Sequence, residues 1–189
     1  MNRSAPRFAR LDPASMTEAQ RRVAEAIVAK RGGDGTRGPF NLWLRAPDLA
    51  ERLQQLGAYI RYGSGLPQRL VEYAICVTAI AWNAPYEWYA HAPLGVKAGL
   101  RPEDLRRLRD GEGPDPADAA LSAVHAFATE LHRDKRVSDP TLEAVRGLFG
   151  EGGVMELIAT CGHYVTVSMT LNVAEVPIPD GEPFAIPAG

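Results

Sequence analysis

Apolar residues along this chain recur at the spacing of an α-helix and rarely alternate with polar residues as they would in a strand. The first such segment begins at Thr17, which is placed to form a capping box with Gln20 three residues later. The β-branched residues lie inside the apolar segments, so no strand is predicted. The pattern therefore predicts an all-α fold with helices over residues 17–31, 47–62, 70–82, 85–99, 102–110, 117–132, 139–147 and 154–175, and one further helical turn at 40–44.

Two of these helices, residues 70–82 and 154–175, are apolar on most sides, which indicates burial. The helix over residues 47–62 is amphipathic, and we expect its inward residues to be Leu49, Leu53, Leu56 and Ile60. Pro93 is expected to kink or interrupt the helix that contains it. The glycine-rich segment 32–38 lacks the Gly-Lys-Ser/Thr ending of a phosphate-binding loop, so we interpret it as a flexible connection.

A chain of 189 residues is most simply a single domain, here a helical bundle with its core at about residues 38–176. Residues 1–16 are predicted to be irregular, and the proline-rich residues 177–189 to form an extended tail. The net charge of −2 gives no reason to expect nucleic acid or a membrane as a partner. The N-terminal residues carry no apolar signal-peptide core, so we expect a cytoplasmic protein.

The chemistry concentrates around the apolar helix over residues 70–82, which contains Glu72. A carboxylate in such a position is unfavourable unless it is paired or neutral. After a break at residues 83–85, a second helix carries Glu87 and His91 four residues apart, and therefore on one face. Two helices with so short a connection are expected to be antiparallel, which would bring the three side chains together. Two carboxylates and an imidazole against an apolar wall are candidate acid/base groups.

The remaining cysteines and histidines are weaker candidates. Cys76 and Cys161 both lie in apolar segments, where a free cysteine usually packs as a small buried hydrophobe, although Cys76 lies one turn after Glu72. His125 and His132 are expected at the surface or the edge of the core. The chain has neither a Cys-x-x-Cys motif nor a zinc-type cluster, so we predict no metal site.

Residues 66–100 resemble the carboxymuconolactone decarboxylase family, which includes the alkylhydroperoxidase D-like proteins. The resemblance is carried by Glu72, by Tyr86-Glu87-Trp88-Tyr89-Ala90-His91 and by Lys97-Ala98-Gly99-Leu100. Further matching segments are Gly38-Pro39-Phe40-Asn41, Glu156-Leu157 with Tyr164, Met169-Thr170-Leu171-Asn172, and Glu175-Val176-Pro177. The resemblance implies an all-helical fold of the alkylhydroperoxidase D-like type and assembly as a homo-oligomer, a trimer, hexamer or dimer.

The thiol peroxidases of the family have a glutamate twelve residues before a cysteine, a second cysteine three residues later and a histidine four residues after that. Counting from Glu72 leads to Ala84, Glu87 and His91, so the glutamate and histidine are present and both redox cysteines are absent. A dithiol mechanism needs both thiols. The remaining pattern is more similar to the decarboxylase branch, whose reaction requires no metal or cofactor.

The resemblance therefore implies a cofactor-free acid/base enzyme that acts on a small carboxylated lactone or organic acid by decarboxylation or isomerisation. The predicted catalytic residues are Glu72, Glu87 and His91, and the predicted substrate-pocket residues are Phe40, Cys76, Trp88 and Tyr164. Two alternatives stay open. One is an alkylhydroperoxidase-type antioxidant activity, with Cys76 as the nearby thiol, and the other is a non-catalytic oligomeric binding protein. The expected partners are a small-molecule substrate and further copies of the chain.

Overall fold

The computed structural model describes residues 7–179 and 182–188, and within these ranges the regular structure is entirely helical. This confirms the predicted all-α fold. A short 3₁₀-helix at Pro13–Ser15 lies in the segment that was predicted to be irregular. The α-helices are α1 (Glu18–Arg31), α2 (Phe40–Trp43), α3 (Pro47–Tyr62), α4 (Gln68–Ala81), α5 (Pro85–Lys97), α6 (Pro102–Arg109), α7 (Ala119–Asp134) and α8 (Asp139–Ala174).

Helix α4 occupies the centre of the bundle, and every residue from Leu70 to Ala79 is buried. It packs against α5, α7 and α8, which cover its different sides. A helix that is apolar all round requires such an enclosed position. Because these neighbours belong to the same chain, the apolar faces of α4 need no second subunit to bury them. Within the described residues, no helix combines the length and the hydropathy needed to cross a membrane.

Helices α4 and α5 form an antiparallel pair. A connection of three residues joins them. Gly95 near the end of α5 lies beside Glu72 near the start of α4, since a Cβ atom added at Gly95 would be 3.6 Å from the Cβ of Glu72. Pro85 occupies the first turn of α5, where its missing N–H is tolerated. Helix α5 continues through Pro93 to Lys97, so the expected interruption does not occur.

The inward face of α3 differs from the one predicted. Leu49 is 51% exposed and Leu56 is 39% exposed, whereas the buried residues are Ala50, Gln54, Gly57 and Ile60. This face contacts α1 and α8, and its small residues allow a close approach. At Gly57, for example, an added Cβ would lie only 2.7 Å from Nε2 of His163. Helix α3 therefore turns its small residues toward α1 and α8, instead of the leucines that the sequence pattern placed inward.

Within the glycine-rich segment 32–38, Gly35 and Thr36 pack against the protein, whereas residues 32–34 are exposed. Thr36 is buried, and both its amide and its hydroxyl donate hydrogen bonds to Asp34. Gly35 has a φ angle of +76°, and a Cβ there would lie 2.7 Å from the carbonyl oxygen of Ala24. Only glycine satisfies both conditions.

The C-terminal segment packs on its own chain. The indole Nε1 of Trp88 donates a hydrogen bond of 2.8 Å to the carbonyl oxygen of Ala185, and the ring of Phe184 lies 5.8 Å from that of Trp88. A turn joins Glu182 to Ala185, so the tail is not simply extended. Helix α8 is interrupted at Gly150, whose φ of +69° and ψ of 180° are not helical, within the region where a break was predicted.

Candidate acid/base site

Glu72 and His91 form a buried hydrogen-bonded pair between α4 and α5. Nδ1 of His91 lies 2.7 Å from Oε2 of Glu72, and Nε2 of Gln68 donates to Oε1 of Glu72 at 2.9 Å. The side chain of Glu72 is 1% exposed, and Nε of Arg61 lies 3.7 Å from its Oε1. An ionised carboxylate can only accept hydrogen bonds, so this contact assigns the shared proton to Nδ1 of His91. Glu72 therefore fixes the orientation of the His91 ring through its Nδ1 atom.

Glu87 lies on the other side of the imidazole, one helical turn before His91. Its Oε2 is 3.6 Å from Nε2 of His91. Glu87 is 3% exposed, and its Oε2 has no hydrogen-bond partner among the residues that the structure describes. The predicted proximity of Glu72, Glu87 and His91 is therefore observed, with His91 between the two carboxyl groups.

The two glutamates have opposite electrostatic environments. Burial alone would raise the pKa of Glu72, but the charge and hydrogen bond of His91, together with Arg61 and Gln68, outweigh it and lower that pKa below 4.5. Burial, assisted by the negative charge of Glu72, raises the pKa of Glu87 above 4.5. Carboxyl groups with pKa values pushed apart are suited to different roles, one as a fixed anion and the other as a proton carrier.

Glu87 and His91 line a cavity of about 570 Å³. Its apolar wall includes Ile27, Phe40, Trp43, Leu94 and Val167. Its polar wall includes three arginines, Arg31, Arg37 and Arg61, together with His163 and the tyrosines Tyr62, Tyr86, Tyr89 and Tyr164. Glu72 is behind this wall. Apolar surface with a few convergent polar groups is typical of a small-molecule site, and the arginines favour a negatively charged ligand.

The predicted pocket residues divide into two groups. Phe40 and Tyr164 line the cavity, and the ring of Tyr164 meets that of His91 edge-on at 4.9 Å. Trp88 does not line it, because α5 turns this side chain toward the C-terminal segment at Phe184. Cys76 is fully buried in α4 and is also absent from the wall. Burial, with the charges of Glu72 and Glu87, raises the pKa of the Cys76 thiol well above its ordinary value.

Sequence reasoning missed several polar residues of the cavity, among them Arg31, Arg61 and His163. Each lies in a segment with the pattern of an ordinary helix, so the local sequence carries no signal for them. They meet only because α1, α3 and α8 pack together. Cys161 is buried as predicted, and His125 and His132 lie at the edge of the core, where they contact the hydroxyls of Tyr73 and Thr78.

The fold and the site define a class: an all-helical protein with a buried carboxylate–imidazole pair beside a cavity. Residues 47–130, from α3 into α7, match the model of the carboxymuconolactone decarboxylase family. The resemblance seen in the sequence is thereby confirmed. A search of curated proteins finds no match to the chain. Across residues 7–179 and 182–188, no three His, Cys, Asp or Glu side chains are grouped to hold a metal ion.

Proposed function

We propose that this protein is a cofactor-free acid/base enzyme that decarboxylates or isomerises a small carboxylated lactone or organic acid. The observation that carries the proposal is the arrangement of His91, held by Glu72 and adjacent to Glu87, at the wall of a cavity that contains arginines. The family whose model residues 47–130 match supports the same reaction class.

Glu72 acts as a positioning residue in this proposal. Its carboxylate accepts the Nδ1 proton of His91, which directs Nε2 of the same ring toward Glu87. A partner of this kind fixes the tautomer and the ring orientation of a histidine. His91 and Glu87 line the cavity and are the groups that exchange protons with the substrate.

In a decarboxylation, the electron pair of the broken carbon–carbon bond moves into a conjugated carbonyl group, and carbon dioxide leaves. The resulting enolate then takes a proton on carbon from Nε2 of His91 or from Glu87, so the net reaction consumes one proton. Arg61 supplies positive charge that stabilises the developing enolate oxygen. In an isomerisation, the same two groups remove a proton from one carbon and return it to another.

A peroxidase activity has less support. Ala84 and Glu87 occupy the positions where the thiol peroxidases have cysteines, and the thiol of Cys76 is fully buried away from the cavity. Its raised pKa also disfavours the thiolate that would attack a peroxide. A non-catalytic binding protein would use the same cavity without proton transfer, and the following experiment separates it from an enzyme.

The test is a panel of unsaturated carboxylated γ-lactones and β-keto acids, followed by NMR in D₂O for carbon-bound deuterium and by a carbon dioxide assay. We expect turnover or exchange with at least one compound and a loss of roughly 10² to 10⁴-fold in His91→Gln. The matched control is His125→Gln, since His125 lies outside the cavity. Turnover that survives His91→Gln would refute the mechanism, and binding without exchange would indicate a non-catalytic protein.

We also propose that the chain assembles as a homo-oligomer, a trimer, hexamer or dimer. The support is an exposed apolar stripe along α8 formed by Met155, Ile158, Met169 and Val173, which are 42% to 61% exposed. Leu49 and Leu56 add exposed apolar surface on α3. Several large apolar side chains exposed on one helix are typical of a protein–protein interface.

A further inference from the structure

We propose that Arg31 and His163 form a carboxylate-binding subsite on the α1–α8 wall of the cavity. The proposal deepens the proposed function, on which it rests, by stating where the carboxylate of the substrate binds. Both residues lie outside the family-matched segment 47–130. The subsite would therefore be a specificity-determining feature that this chain builds from its flanking helices.

Arg31 is the last residue of α1, and its side chain is half-buried. Its Nη2 donates to the carbonyl oxygen of Gln54 at 3.3 Å, but its Nε is buried without a hydrogen-bond acceptor in the described part of the chain. Its Cζ lies 5.2 Å from the ring centroid of Phe40 and 5.8 Å from that of Tyr62. Aromatic rings thus hold the cation in place, while no carboxylate among the described residues forms an ion pair with it.

His163 is the second component. It is 7% exposed, lines the cavity, and its Nδ1 is buried with no hydrogen-bond partner in residues 7–179 or 182–188. The ring lies 6.0 Å from that of Trp43 and 5.3 Å from that of Tyr164. A buried polar atom left unpaired is unfavourable, so a site of this kind is completed when a ligand or water supplies the partner.

The head groups of Arg31 and His163 meet at one point of the α3 backbone. A Cβ atom added at Gly57 would lie 2.7 Å from Nε2 of His163 and 3.1 Å from Nη2 of Arg31. The absence of a side chain at this glycine therefore leaves room for both nitrogen-bearing groups. A guanidinium presents parallel N–H donors that match a carboxylate, and an adjacent imidazole can add a further donor when protonated.

The charges around His163 explain how a carboxylate would change its protonation. Besides burial, the positive charges of Arg31 on α1 and His91 on α5 lower the pKa of His163. Arg61 of α3 lines the same cavity, and Tyr164 is the next residue on α8. Burial, followed by the positive charges of Arg31 and His91, lowers the pKa of His163 to about 4, so the ring is neutral at pH 7. An anion bound beside it opposes these charges and raises that pKa.

The experiment follows the histidine side chains of the full-length protein by NMR, titrated with pH in the presence of benzoate or of benzamide. The two probes have similar shape, but only benzoate carries a charge. We expect benzoate to raise the pKa of His163 and benzamide to leave it unchanged. Arg31→Gln should weaken benzoate binding roughly tenfold to a hundredfold, as expected for the loss of a charged hydrogen bond. Arg52→Gln, an exposed arginine on α3, is the matched control and should bind as the wild type does.

The wild-type comparison of the two probes remains decisive if Arg31→Gln does not fold. The subsite is overturned if benzoate moves only His91, if benzamide moves His163 equally, or if Arg31→Gln binds benzoate as tightly as Arg52→Gln. An equal response to inorganic phosphate would also overturn the assignment to a carboxylate. These readouts measure binding and do not require turnover. Benzoate binding can therefore support the subsite even if the turnover assay finds no activity, and turnover can be observed even if benzoate does not bind at Arg31 and His163.

Discussion

The glutamates on either side of His91 are expected to respond in opposite ways when their charge is removed. Glu72 has a lowered pKa because His91, Arg61 and Gln68 stabilise its ionised form, whereas Glu87 has a pKa raised by burial. Glu72→Gln and Glu87→Gln preserve the size of each side chain and remove its charge. The first should destabilise the protein at neutral pH, and the second should stabilise it.

The size of the Glu72 effect follows from its hydrogen bond to His91. A hydrogen bond to a charged group contributes about 1.5–3 kcal/mol, so Glu72→Gln should lower the free energy of unfolding by about that amount at pH 7. Because the folded pKa of Glu72 lies below 4.5, the wild type has this stabilisation in full above pH 4.5. It is lost as the pH falls through the folded pKa, where the two proteins should converge.

For Glu87 the sign of the pH effect is reversed. Its folded pKa lies above 4.5, so the wild type loses stability as the pH rises from 4.5 through that folded value. Glu87→Gln has no such loss and should be more stable by about 1 kcal/mol at high pH, since a buried charged oxygen without a partner is removed. Below pH 4.5 the advantage should vanish, because the carboxyl group is protonated in both the folded and unfolded states.

The measurement is urea unfolding, followed by tryptophan fluorescence, at several values from about pH 3 to pH 8. Glu25→Gln, an exposed residue of α1, serves as the control and should show neither effect. If both site variants change stability with the same sign, or if their differences from the wild type do not depend on pH, the two glutamates do not occupy opposite charge environments.

Three further outcomes are expected. Cys76→Ser should leave any hydroperoxide reduction unchanged, because the thiol is buried away from the cavity; a thiol-dependent peroxidase assay in which this variant loses activity would contradict this. Light scattering should give a mass well above the 20.5 kDa of one chain, and Met155→Glu on the exposed stripe should lower it; a monomeric wild type would exclude the assembly. Gly57→Ala should weaken benzoate binding, whereas Gly162→Ala, which places no atom within 4 Å, should not; calorimetry showing equal affinities would argue against the subsite.

Features that depend on neighbouring residues could be predicted from the amino-acid order alone. Thr17 and Gln20 form the predicted capping box, and the apolar segment around Leu70–Ala79 is the buried helix. The spacing of Glu87 and His91 is set by the helix that carries both, so their proximity could be predicted from four positions of separation. The contact between Glu72 and His91 followed from one additional inference, that a short connection makes two helices antiparallel.

Which surfaces meet depended on how the helices pack. Packing turned Leu49 and Leu56 outward because the small residues of α3 approach their neighbours more closely, and it directed Trp88 toward Phe184 rather than into the cavity.

Arg31 and His163 are 132 residues apart, and no periodicity connects them. The sign of the pKa shift of Glu72 depended on the tertiary structure in the same way. Burial, visible in the sequence, raises that pKa, and the partners that reverse it come from α3 and α5 as well as from α4. Helical periodicity is a short-range property, whereas charge environments are sums over groups that only the packed chain brings together.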